Sequence, residues 1–126
     1  MVRIAAAVIR DERGRFLLVR KHGTEAFMQA GGKIEPGEQP VAALMRELNE
    51  ELGLVLSAAD ARYLGVFEAE AANEPGFIVQ AELFDVAIRD AVTPAAEIAE
   101  AVWISRADSQ ALSLAPLTRR HVLNLE

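Results

Sequence analysis

Gly32-Lys33-Ile34-Glu35-Pro36-Gly37-Glu38-Gln39-Pro40-Val41-Ala42-Ala43-Leu44-Met45-Arg46-Glu47-Leu48-Asn49-Glu50-Glu51-Leu52-Gly53-Leu54 is the stretch on which the reading of this chain turns. Its first part, with Gly31 before it, is dense in glycine and proline, which forbids a regular helix and predicts a shaped loop over 27–37. Pro40 sits where a helix can start, because its missing N–H costs nothing there. From Val41 the apolar positions Val41, Leu44, Met45, Leu48 and Leu52 follow helical spacing, and Gly53 is a natural stop. At about 100° per residue, Leu44, Leu48 and Leu52 share one face while Glu47, Glu50 and Glu51 fall together on another. Like charges three and four apart destabilise a helix by roughly 0.2–0.5 kcal/mol per pair. Arg46 can pair with Glu50 but cannot neutralise all three. A hard divalent cation with oxygen ligands would. A solvated acidic face is the ordinary alternative, and on these residues alone both readings stand. The preceding Gly31-Gly32-Lys33 brings the cation reading level with that alternative: glycines admit close backbone approach, and Lys33 offers a cation for phosphate oxygens.

Outward from this stretch the chain reads as strands. Ile4 to Ile9 and Phe16 to Arg20 flank the turn Asp11-Glu12-Arg13-Gly14, which predicts a hairpin. Arg62 to Ala69 and Phe77 to Ile88 are strands around Asn73-Glu74-Pro75-Gly76. Glu100 to Ser105 is another. Ala107 to Glu126 is helical in parts and interrupted by Pro116. Strands, one strong helix, further strands and a terminal helix predict an α/β fold with a mixed sheet and helices packed on it.

The chain has 126 residues, a net charge of −6 and no cysteine. One domain over 1–126 is the expectation. No basic cluster marks a nucleic-acid polymer as partner, and a disulfide framework or thiolate metal site is excluded. No apolar run is long enough to span a bilayer, and Met1-Val2-Arg3-Ile4 lacks the shape of a signal peptide. A cytoplasmic protein that does not engage a membrane is expected.

The quoted stretch resembles the signature of the Nudix hydrolase family, G-x5-E-x7-R-E-U-x-E-E-x-G-U with U a bulky aliphatic residue. Gly32, Glu38, Arg46, Glu47, Leu48, Glu50, Glu51, Gly53 and Leu54 stand at every specified position. The resemblance implies an α/β/α sandwich and magnesium- or manganese-dependent attack of water on a diphosphate linkage. It implies Glu50 and Glu51 as main metal ligands, with the Gly32 carbonyl, and Glu47 as ligand or base. Arg46 would orient the glutamates and Glu38 would brace the loop. Many family members add an acid near the last strand, for which Glu97 and Glu100 are candidates. Where members often carry Pro before the two glycines, this chain has Ala30, preceded by Gln29.

Phe27, beside the loop, is the candidate to stack on a base, against the ordinary burial of aromatics in a core. Gly31, Lys33 and Arg20, with Lys21 next to it, are candidates for substrate phosphates. The expected substrate is a small nucleoside di- or triphosphate or a nucleoside diphosphate derivative, in a house-cleaning role on modified nucleotides. The competing reading is a non-catalytic module of the same fold that senses a nucleotide or ADP-ribose. A diphosphate isomerase of this fold commonly uses a cysteine, and none is present. A homodimer is compatible with the sequence and not demanded by it.

Overall fold

A computed structural model describes residues 1–125. The strands are β1 (Val2–Val8), β2 (Phe16–Lys21), β3 (Phe27–Met28), β4 (Gly31–Lys33), β5 (Ala61–Glu70), β6 (Ile78–Val86) and β7 (Ile98–Ile104). The helices are α1 (Pro40–Leu52), between β4 and β5, and α2 (Pro116–Arg120), after β7. Short 3-10 turns lie at Ala58–Asp60, Asp108–Ala111 and Val122–Asn124.

One sheet has the order β4-β1-β6-β5 and is mixed: β1 and β6 are parallel, and the other neighbours are antiparallel. A second, antiparallel sheet has the order β3-β2-β7. The hairpin expected from β1 and β2 is therefore only a corner. The two segments meet at the Arg10–Phe16 bridge and through Leu17 N–H donating to the Ile9 carbonyl. Asp11 closes the turn by accepting from the Arg13 and Arg15 amides. Beyond it the strands part into different sheets, because both edges of β1 are taken by β4 and β6.

Period-two alternation sorts the interior into two layers. Ala5, Ala7, Ile9, Leu17 and Val19 pack with Leu44, Leu48 and Leu52 of α1. Ala6, Val8, Phe16 and Leu18 pack on the other side with Leu117, Val122 and Leu123. Helical segments thus cover both faces, the α/β/α arrangement that the resemblance implied. Each fully buried leucine of α1 contributes about 1.5–3 kcal/mol by leaving water. The alanines of β1 keep the layer thin, so the backbone of β4 and the acidic edge of α1 come close together.

Two local expectations change. The 27–37 segment is not all loop, since β3 and β4 are short strands within it. Glycine permits this at Gly31, whose φ of 148° is denied to other residues; a Cβ there would lie 2.1 Å from the Ala5 carbonyl oxygen. Pro116 begins α2 instead of interrupting a helix, as its fixed φ and absent N–H suit a first helical position. α1 ends as the sequence predicts. Gly53 takes φ 69°, its N–H donates to Asn49 O at 3.0 Å, and Leu54 N–H reaches Leu48 O at 3.3 Å. Among the described residues no helix is long and apolar enough to cross a membrane.

Candidate active site

β4 and α1 meet at a cavity of about 400 Å³, and the glycines are what let them meet. A Cβ on Gly32 would stand 2.5 Å from the carboxyl carbon of Glu47. The Gly31 N–H donates to Glu51 Oε1 at 3.1 Å. A larger residue at Gly31 would collide with the β1 backbone at Ala5 and Ala6, and one at Gly32 would displace the Glu47 carboxylate.

Behind this contact Arg46 makes four hydrogen bonds. Its Nε and Nη2 grip Glu38 at 3.0 and 2.9 Å, Nη1 reaches Glu47 at 2.7 Å, and Nη2 also donates to the Lys33 carbonyl at 3.2 Å. The two-pronged bond from Arg46 holds the Glu38 carboxyl below its ordinary value, and the same bond raises Arg46 above its own. Glu38 in turn accepts from the Glu35 amide. Loop, helix and Glu47 are thereby tied to one guanidinium.

Glu51 is the opposite case. Its residue is 2% exposed, and its Oε2 is buried with no hydrogen-bond partner. Burial raises its pKa to about 8, the Gly31 N–H opposes that rise, and the nearby Glu47 charge adds to it. Glu97 also faces this group. The 95–97 corner that carries it is fixed by Ala95 N–H donating to the Glu51 carbonyl at 2.9 Å, and passes through Ala96 at φ 53°. Glu97 pairs with Lys21 at 3.4 Å.

Gly31, Gly32, Lys33, Glu47, Glu51 and Glu97 all line the cavity. Glu50 does not: it lies on the solvent side of α1, its side chain 54% exposed and 3.9 Å from Arg46. The three helix acids are therefore graded from buried to exposed and do not form one face. Phe27 is buried among Leu114 and Leu117 and stays off the wall. Arg20 turns to Glu100 at 2.9 Å and to the Thr24 carbonyl at 2.8 Å. Its neighbour Lys21 shares the face of Val19 and lines the cavity with it. The alternation of β2 carries that distinction, once Val19 is known to face α1. Gln29 and Thr118, also on the wall, were not among the sequence candidates. No sequence signal brings them together, because their meeting depends on α2 docking beside β3.

Among the described residues, no three acids are gathered closely enough to hold an ion as the side chains lie. Arg46 draws Glu47 aside, and Glu50 points outward. The donor chemistry nevertheless suits a hard cation: an orphaned buried carboxylate oxygen, a second carboxylate against a glycine, and a third on the facing corner. A charge of this kind would give Glu51 Oε2 the partner it lacks.

The NUDIX domain family model matches residues 1–125. The chain is 31% identical over 120 residues to a CTP pyrophosphohydrolase of Escherichia coli, covering 92% of this chain and 84% of that one. It is 39% identical over 64 residues to an 8-oxo-dGTP diphosphatase of Haemophilus influenzae, covering 48% of this chain and about half, 47%, of that relative's length. A MutT NUDIX hydrolase from Burkholderia pseudomallei shares the fold, with a TM-score of 0.82 at 22% identity, covering 99% of this chain and 98% of that one.

Proposed function

Since the chain belongs to the NUDIX domain family, we propose that it is a pyrophosphohydrolase that cleaves a diphosphate linkage in a nucleoside di- or triphosphate or a related derivative. One domain over 1–126 carries the activity. Similarity to proteins named for 8-oxo-dGTP and CTP supports a small nucleotide as substrate, in a house-cleaning role on modified nucleotides. The observation that carries the reading is the unpartnered Glu51 Oε2 beside Gly31 and Glu47 at the cavity wall.

The family generally uses a divalent metal. We assign Glu51, Glu47 and the Gly32 carbonyl to hold Mg²⁺ or Mn²⁺, with Glu97 from the facing corner and Glu50 from the rim. The chemistry that the cation supplies when bound is electrostatic: it favours ionisation of water and offsets charge on the phosphates. The chain's own residues do the positioning. Arg46 fixes Glu47 through one N–H and the loop through the others. Glu47 serves as ligand or accepts the proton of the attacking water. Lys21 and Lys33 place positive charge on the cavity wall for phosphate oxygens.

The test is phosphate or pyrophosphate release across a panel of nucleoside triphosphates and diphosphate derivatives, with Mg²⁺ and with chelator. Cation-dependent release that disappears in Glu51→Gln upholds the reading. Turnover that persists in chelator, or in Glu51→Gln at wild-type rate, defeats it.

A further inference from the structure

Beyond the charged residues, the cavity wall is largely apolar, with Val2, Ile4, Val79 and Leu117 among its residues. One polar pair is set into it. Gln29 is 6% exposed and Thr118 is 0% exposed, and the Thr118 hydroxyl donates to Gln29 Oε1 at 2.6 Å. Burying a carboxamide is costly unless its groups find partners. The Thr118 bond accounts for the oxygen. It is the only side-chain hydrogen bond that Gln29 makes among the described residues. Among the described residues Glu51 Oε2 is the one fully buried side-chain nitrogen or oxygen without a partner, so the Gln29 amide nitrogen, which also has none, is not sealed off. Both residues line the cavity, and the carboxamide has its oxygen held by Thr118 while its nitrogen donates to nothing in the protein among the described residues.

The pair stands on fixed backbone. Phe27 N–H donates to Ser113 O at 2.8 Å and Ala115 N–H donates to Phe27 O at 2.9 Å, so β3 and the start of α2 are stitched together. Gln29 lies three residues before Gly32, at most about 10 Å along extended chain. That is the reach between a nucleobase and its own phosphates.

We propose that Gln29, oriented by Thr118, selects the base of the substrate, favouring bases with a carbonyl oxygen at purine C6 or pyrimidine C4 (guanine, uracil) over those with an amino group there (adenine, cytosine). The inference rests on the hydrolase reading above and adds a substrate class to it. A carbonyl oxygen accepts from Gln29 Nε2, whereas an amino group in its place sets donor against donor and leaves both unpaired in a desolvated wall. Thr118 is a positioning residue, because its hydroxyl is spent on the carboxamide.

The experiment compares kcat/KM for GTP against ATP and for UTP against CTP, with the full chain and Mg²⁺. The carbonyl member of each pair is expected to lead by about tenfold or more. Gln29→Leu, or the unbranched Gln29→Met if leucine leaves a void, should bring each pair to near equality, mostly through KM. Gln29→Glu, which offers an acceptor, should reverse the order. Thr118→Val should raise KM for the favoured base and shrink the preference while kcat holds. A merely structural role for the pair would lower Tm and leave the ratios untouched. Equal use of both members by the wild type, a preference for ATP and CTP, or unchanged ratios in folded Gln29→Leu overturns the proposal. If the wild type hydrolyses none of the four, the hydrolase reading is what fails. Calorimetry of GMP against AMP then decides the inference alone: preference for GMP that is lost in Gln29→Leu upholds it, and equal binding overturns it.

Discussion

Two carboxylates of α1 have opposite surroundings. Glu47 is held by Arg46 at 2.7 Å, within a network that also satisfies Glu38 and the Lys33 carbonyl. Glu51, one turn on, is more deeply buried and receives a single N–H, from Gly31. A half-buried network whose acids are paired makes a rigid scaffold. A buried acid with one oxygen left over has a desolvation cost that the Gly31 N–H and the Lys21 charge offset only in part. The brace is thus explained by folding and the orphan is not, so the orphan is where a ligand is to be sought.

The largest effect that would break this contrast is at Glu51. Glu51→Gln keeps the acceptor for the Gly31 amide and removes the charge. Turnover should fall by about three orders of magnitude, while the protein without cation becomes more stable above neutral pH. The sign follows from linkage. Unfolded, the acid titrates near its ordinary 4.5; folded, burial raises it to about 8. Between those values the native state holds the extra proton, so stability falls as pH rises through the window. Thermal melts in chelator from pH 5 to 9 should show this slope in the wild type and its loss in Glu51→Gln. Because cation binding needs the ionised acid, added Mg²⁺ should raise Tm more at pH 8 than at pH 5. A flat wild-type profile would show that Glu51 is not the strained group described.

Gly32 tests the other side of the contact. A Cβ there meets the Glu47 carboxyl at 2.5 Å, and the obstacle is an acid already gripped by Arg46. Gly32→Ala should cost about 1–3 kcal/mol by forced displacement. It should lower kcat about a hundredfold, as small misplacements do. Retained kcat would mean that the loop and α1 need not touch for catalysis.

The spacing of Leu44, Leu48 and Leu52 made α1 legible, and Gly53 its end, because both signals are local. The glycine loop and the acid set were legible as a pattern too. The rank of the acids was not. A helical projection puts Glu47, Glu50 and Glu51 together, and only packing against β1 and β4 buries Glu51 while leaving Glu50 in water. Arg20 and Lys21 could not be separated without knowing which face of β2 meets α1. Gln29 and Thr118 lie far apart in the chain, and their bond exists only because β3 and α2 are joined through backbone. The parting of β1 and β2 was hidden for a similar reason: a turn signal reports that strands reverse, not which sheet each joins.

Arg46→Lys sharpens the brace itself. A lysine keeps one positive charge but cannot hold Glu38 with two N–H groups, Glu47 with a third and a carbonyl as well. A loss of about tenfold in kcat is expected, with KM little changed and a Tm drop of a few degrees, because the loop and Glu47 are no longer tied to one group. If the KM rises and kcat holds, Arg46 acts on substrate and not on Glu47.

The smallest effect should come from Glu50, and it discriminates most finely. It stands next to Glu51 and is the same residue type, yet its side chain is 54% exposed, lies off the cavity wall and is only 3.9 Å from Arg46 in a loose ion pair. Water already solvates it, so Glu50→Gln should leave Tm unchanged and show none of the pH slope of Glu51. To reach a cation at the wall it must leave solvent, which limits what it contributes. A fall in kcat of about twofold to fivefold is expected, partly recovered at higher Mg²⁺ if its role is to add charge at the rim. A loss as deep as that of Glu51→Gln would show that α1 gathers its acids when loaded, and that burial in the free protein does not rank them.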